Sequence, residues 1–294
     1  FLYQVKGTGE EHLKYFIKNR LMYCDSKWQT GDFINKDTNT ILMRLNAPKD
    51  IVDEEIKPDM TIKFKTFSNM YAGVRYGTNG VLNSVYTDRG NLVSIKMPEG
   101  EDPNNLDTYI FGANEISELE DLSLLYANLI NLSAASKLTK AIIGNSHPNY
   151  KNDVLKNISF SNNRLLREVN ICNCTGLTNI IDFSLCPDIQ YIYATGSNIS
   201  GVQLPESGFV KVLRLPNTIS NITLVRQHHI EEFMCEGYDS LTTIRIEDSE
   251  NIPIQNILLG CDQSVLASVV IKNIDWDVDS ENTLRTIINK LIAC

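Results

Sequence analysis

The chain has 294 residues, with 27 Lys and Arg against 36 Asp and Glu, a formal net charge of −9. Hydrophobic residues at 43% and charged residues at 21% exclude wholesale disorder. The acidic balance excludes a general nucleic-acid binder, which must neutralise phosphates with clustered Lys and Arg. The length holds two modest domains or one elongated one. No stretch approaches the ~18 uninterrupted apolar residues of a membrane-spanning helix, so no membrane insertion is expected. The chain opens on Phe1 and ends on Cys294 after an apolar run. Both ends suggest a segment of a longer polypeptide.

Residues 10–23 read as an amphipathic helix, with Leu13, Phe16, Ile17 and Leu21 at three- and four-residue steps. Strand-like runs follow at 41–45, 61–66 and 92–96; Thr61-Ile62-Lys63-Phe64-Lys65-Thr66 alternates strictly, as a strand with one buried face does. Turn signals separate them at 48–50, 77–80, 88–90 and 98–100. The expectation for 1–105 is a helix followed by a small β-sandwich-like domain, bounded by the acidic, turn-rich stretch 99–105.

A repeat then dominates 106–294. The unit L-x-x-L-x-L occurs as Leu166-x-x-Val169-x-Ile171, Ile189-x-x-Ile192-x-Ala194, Val210-x-x-Leu213-x-Leu215 and Ile230-x-x-Phe233-x-Cys235. A second series is interleaved, beginning at Leu155, Leu177, Ile199, Ile219 and Leu241, and places Ile180 on its apolar face. Within either series the starts recur at a nearly constant interval, which is the pitch of a leucine-rich repeat. The turns of such a repeat bury their apolar residues only by stacking. Asn162, Asn163 and Asn173 suit turns where a side chain bonds free backbone groups. An ordinary sandwich with evenly spaced strands is the alternative, but it does not require one apolar spacing to persist from Leu155 to Ile246. Ser280 before Leu284, Ile287, Ile288 and Leu291 reads as the N-cap of a C-terminal helix. The fold class expected is α+β: an N-terminal helix and small β-sandwich-like domain, then an irregular leucine-rich-repeat solenoid.

Candidate chemistry is sparse. The seven cysteines are odd in number and unevenly spaced, which is poor evidence for a disulfide framework. Cys172-x-Cys174 reads as two small side chains packing on one strand face, with no second pair at zinc spacing. His228 and His229, as strand neighbours, would point apart. Gly7-Thr8-Gly9 lacks the context of a nucleotide fingerprint. Asp275, Asp277 and Asp279 lack the Gly and Glu of a calcium loop. Five glycosylation sequons, at Asn131, Asn157, Asn173, Asn198 and Asn221, are what an Asn-rich chain generates by chance. No catalytic, cofactor-binding or metal residue is assigned and no cofactor is expected. What remains is surface: one outward row of Asn170, Tyr193, Arg214 and Met234 and another of Gln203, Thr223 and Arg245. Tyr, Arg and Met are interface-enriched types, so Tyr193, Arg214, Met234, Gln203 and Arg245 form the candidate interaction surface.

The stretch Tyr15-Phe16-Ile17-Lys18-Asn19-Arg20-Leu21-Met22-Tyr23-Cys24-Asp25-Ser26-Lys27-Trp28 resembles a helical signature of very large tail (muzzle-type) proteins of gut bacteriophages, including crAss-like phages. Tyr109-Ile110-Phe111-Gly112-Ala113, then Asp121-Leu122-Ser123-Leu124-Leu125-Tyr126 and the run 193–205, resemble the element that leads into the degenerate repeats of those proteins. The resemblance spans most of the chain in order, and this chain is far shorter than those proteins. It implies a non-catalytic structural component of the virion tail, made in the host cytoplasm. Its implied partners are other virion proteins, in a homo-oligomeric ring or tail assembly. A bacterial surface or secreted leucine-rich-repeat adhesin is the alternative.

Overall fold

A computed structural model describes residues 40–46, 60–99, 101–147, 149–262 and 264–274, with 281, 282, 285, 286 and 289. The helix expected at 10–23, the turn at 48–50, Gly7-Thr8-Gly9 and Asp275, Asp277 and Asp279 lie outside the described residues. Of the expected C-terminal helix, Glu281, Asn282, Arg285, Thr286 and Asn289 are helical. Arg285 Nη2 meets Glu281 Oε1 one turn away at 2.7 Å.

The described chain is mostly strands. It begins with β1 (Thr40–Leu45), β2 (Thr61–Thr66), β3 (Met70–Tyr76), β4 (Leu82–Thr87), β5 (Val93–Lys96) and β6 (Leu106–Phe111). Strands β2 and β5 cover two of the three expected runs and β1 the first; β3 and β4 flank the turn at 77–80, and Gly90 at φ 77° makes the next turn. From β7 (Ile116–Leu119) the strands alternate between two sides of a coil. They run β8 (Ala127–Asn131), β9 (Lys140–Ile142), β10 (Asn157–Ser159), β11 (Glu168–Asn170), β12 (Ile180–Asp182) and β13 (Tyr191–Tyr193). Then come β14 (Gly201–Gln203), β15 (Val212–Leu215), β16 (Asn221–Val225), β17 (Glu232–Cys235), β18 (Thr243–Glu247), helix α1 (Ile254–Gly260) and β19 (Ser268–Lys272).

These strands build a β-solenoid of about seven turns. One side is a single eight-stranded sheet in the order β17-β15-β13-β11-β9-β7-β2-β5. The other side divides between β10 and β12 into a six-stranded sheet, β10-β8-β1-β6-β3-β4, and a five-stranded one, β12-β14-β16-β18-β19. Along the long sheet Glu118, Lys140, Glu168, Tyr191, Val212 and Glu232 are successive ladder partners, so each step between them is the length of one turn.

The register explains the repeat. Leu119, Ala141, Val169, Ile192 and Leu213 stand side by side on the inner face, each fully buried. Burying each larger member contributes about 1.5–3 kcal/mol. On the opposite side Ile181 pairs with Val202 and Ile244 with Val269. Ile180, expected inside, is 50% exposed; the turn from Leu177 is one residue longer, so Ile181 and Phe183 face inward instead. Phe183 stacks at 5.1 Å on Phe160 of the turn before.

Between strands, the turns rely on side-chain amides. Asn163 Nδ2 donates to Leu132 O at 2.9 Å and Ala135 O at 2.7 Å, and Asn173 Nδ2 to Asn145 O at 2.7 Å and His147 O at 3.2 Å. Each adds a donor to loop carbonyls of the neighbouring turn and so ties one turn to the next. The stacking is close enough that Gly196, at φ 68°, has no room for a Cβ beside Asn173 Oδ1. In the last turn, α1 occupies the place in chain order where earlier turns put a long-sheet strand. Ile254, Ile257 and Leu258, at helical spacing, are its buried face.

Two expectations need correction. The strands of 40–111 do not close into a separate sandwich. Strand β2 pairs antiparallel with β7, and β1 with β8, so both sheets run on from the coil into this part. One buried cluster extends from Ile41 to Leu266. The physical reason is the edge: β7 and β8 would otherwise expose unpaired backbone, and antiparallel strands cover it. The second correction is the class, since the described residues are nearly all strand and loop with one complete short helix rather than α+β.

Candidate interaction surfaces

Ladder register brings Asn170, Tyr193, Arg214 and Met234 into one row on the outer face of the long sheet. Arg214 grips Glu232 in a fork, Nε to Oε1 at 2.6 Å and Nη2 to Oε2 at 3.2 Å, while its guanidinium lies 5.4 Å from the centre of the Tyr193 ring. That pairing raises the Arg214 pKa and lowers that of Glu232. Further along the face, Lys65 meets Glu120 at 2.6 Å and Glu118 at 3.0 Å, and Lys140 meets Glu168 at 3.2 Å. Opposite charges therefore alternate across the strands and satisfy one another. Met234, 41% exposed, ends the row as its bare apolar member.

Gln203, Thr223 and Arg245 occupy the other side of the coil, so the five candidate residues make two surfaces. Strand β14 pairs with β16 only at Gly201↔Asn221, whereas β16 and β18 pair over their whole length. Beyond Gly201 the strands splay and leave a cleft of about 330 Å³ lined by Gln203, Thr223, Arg245, Glu206 and Gln227. Gln227 is 1% exposed, and its Nε2 donates to Pro205 O and Val225 O, both at 2.9 Å, which ties the splayed turn to β16. Its Oε1 has no partner. Arg245 Nε donates to Glu247 Oε1 at 2.9 Å, and this bond with nearby Lys272 holds the Glu247 pKa below the usual carboxylate range.

A third surface carries no repeat or motif in the sequence. Phe67, Tyr71, Val81, Val85, Tyr86 and Leu92 are all exposed, from 36% for Val85 to 77% for Val81. They gather at the end of the coil where β4 and β5 are the outermost strands of their sheets. Tyr71 and Tyr86 meet edge to face at 5.1 Å, and Phe67 carries the Arg89 and Lys137 cations, each 5.0 Å from its ring centre. A cleft of about 340 Å³ opens there, with Val85 and Leu92 at its rim and Val93 and Ile95 within. The sequence signal was the absence of any Lys, Glu or Pro in Leu82-Asn83-Ser84-Val85-Tyr86-Thr87, the residues that normally protect an edge strand.

The remaining candidates have structural partners. Cys172 and Cys174 lie in the turn after β11, not on a strand as expected, and both are buried. Burial raises their pKa values, as it pushes Cys186 up to about 12. His228 Nδ1 lies 3.1 Å from Glu250 Oε1, whereas the His229 ring stacks on Phe209 at 5.2 Å. No group of three or more His, Cys, Asp or Glu among the described residues is placed to hold a metal ion, and no described helix is long and apolar enough to cross a membrane. Comparison with known proteins found no matching family model, curated protein or solved structure.

Proposed function

We propose that this chain is a non-catalytic structural component of a bacteriophage tail assembly, a leucine-rich-repeat-type solenoid that offers its faces and ends to neighbouring proteins. The observation that carries the reading is the apolar end of the coil. Six large exposed side chains lie between Phe67 and Leu92, and two of them are tyrosines in edge-to-face contact on adjacent strands. Exposed aromatics beside an unprotected strand edge suit a protein neighbour, which would cover both the rings and the backbone. The tail context is supported by the resemblance of residues 15–28, 109–113 and 121–126. Mass spectrometry of purified phage particles tests it. Peptides of this chain in the particle support the reading. Their absence from particles, or recovery from the surface fraction of uninfected bacteria as an adhesin requires, overturns it.

A further inference from the structure

We infer that the outer face of β1, β6 and β3 is a docking surface for the chain's own residues 10–23, the amphipathic stretch that precedes β1. Strand register sorts the side chains of this sheet onto two faces. Ile41, Val74 and Ile110 point into the core cluster. The opposite face carries three rows across the strands: Thr40, Phe111 and Gly73; then Leu42, Tyr109 and Arg75; then Arg44 with Asp107.

The first two rows are covered. Phe111 is 3% exposed and Arg75 6%, Thr40 Oγ1 is shielded from solvent, and Leu42 and Tyr109 are half-buried. Phe111 nevertheless stands outside the core cluster. The core and the eight-stranded sheet lie on the other side of these strands, so neither supplies the cover. The third row is open, with Arg44 and Asp107 paired at 2.7 Å and their side chains 44% and 28% exposed. The covering layer therefore lies over the Thr40 end of β1, where the preceding chain enters. It does not lie over the Leu45 end, from which residues 47–59 depart, and the apolar run at 284–291 follows β19 at the far end of the coil. The chemistry fits the same segment. Leu13, Phe16, Ile17 and Leu21 form one apolar stripe, and a layer must bury such a stripe against another. Beneath it the Arg75 guanidinium lies 4.9 Å from the centre of the Tyr109 ring, a contact that strengthens when water is excluded. Residues 24–39 reach up to ~50 Å when extended, far more than the ~10 Å between β1 and β3.

Photo-cross-linking of the purified full chain tests the assignment. The photoreactive residue p-benzoylphenylalanine replaces Tyr109, and mass spectrometry after irradiation maps the segment to which it attaches. The same probe in place of Leu42, the ladder partner of Tyr109 on β1, gives a second reading from the same face. Each variant is irradiated in an equal mixture of isotope-labelled and unlabelled chains, which separates attachment within a chain from attachment between chains. The expected result is attachment within residues 10–23 of the same chain from both positions. Attachment within 47–59 or 284–291, attachment to a second chain, or no attachment from either position overturns the inference.

Discussion

Residues 40–111 and the coil that follows share two of the three sheets but hold them by different means. In the coil the strands are short and parallel, and each turn is locked to the next by a stack of equivalent inner positions and by buried amides such as Asn163. In 40–111 the strands are longer, antiparallel, and pair across long loops: β1 with β6 and β3 with β6. The coil is therefore stabilised by repetition and the earlier part by non-local pairing. The difference also explains where the surface is left bare. Each inner turn is covered on both sides by its neighbours, whereas among the described residues β4 and β5 have a neighbouring strand on one side only.

Substitutions that separate the two modes should range from severe to slight. Leu213→Ala removes a fully buried side chain from mid-stack, where turns on both sides lose contacts; a loss of about 2–5 kcal/mol is expected in urea unfolding. Asn163→Ala removes two buried side-chain hydrogen bonds, to Leu132 O and Ala135 O, and should cost roughly 1–3 kcal/mol in the same experiment. Arg214→Ala breaks an exposed ion pair and a ring contact, and should cost no more than about 1 kcal/mol. The smallest effect is on pH. Glu120, Glu232 and Glu247 are held below their ordinary value of 4.5 by hydrogen bonds to Lys65, Arg214 and Arg245. A depressed carboxylate contributes stability above its unfolded pKa and loses it as pH falls through the folded one. Thermal melts should therefore decline below pH 4.5, and Glu232→Gln should flatten part of that decline.

The coil was legible because its rule is local and repeated. An apolar residue that must meet its counterpart one turn away recurs at the turn length, so Val169, Ile192 and Leu213 announce themselves. Where two apolar residues are adjacent the rule is ambiguous, and the spacing selects Ile180 when the longer turn buries Ile181. Helix α1 was missed because three apolar residues, Ile254, Ile257 and Leu258, make too short a period. The continuity of the sheets left no trace at all: β1 meets β8 from far along the chain, and no periodicity encodes that pairing. Of the candidate surfaces, the row through Tyr193, Arg214 and Met234 followed from alternation alone. The apolar end did not, because Tyr71, Val85 and Tyr86 read like core residues until the strand beside them proves to be the last.

Residues 40–111 are thus the first strands of the solenoid rather than a domain beside it. Hydrogen exchange of Ile62→Ala against the wild type puts that continuity to the test, because Ile62 is fully buried on β2, the strand that carries the long sheet from β5 to β7. A continuous sheet should show lower protection of the amides of β2 and β5 together with those of β7 and β9. Loss of protection confined to residues 40–111, with β7 and β9 unchanged, would mean that the two parts are separate after all.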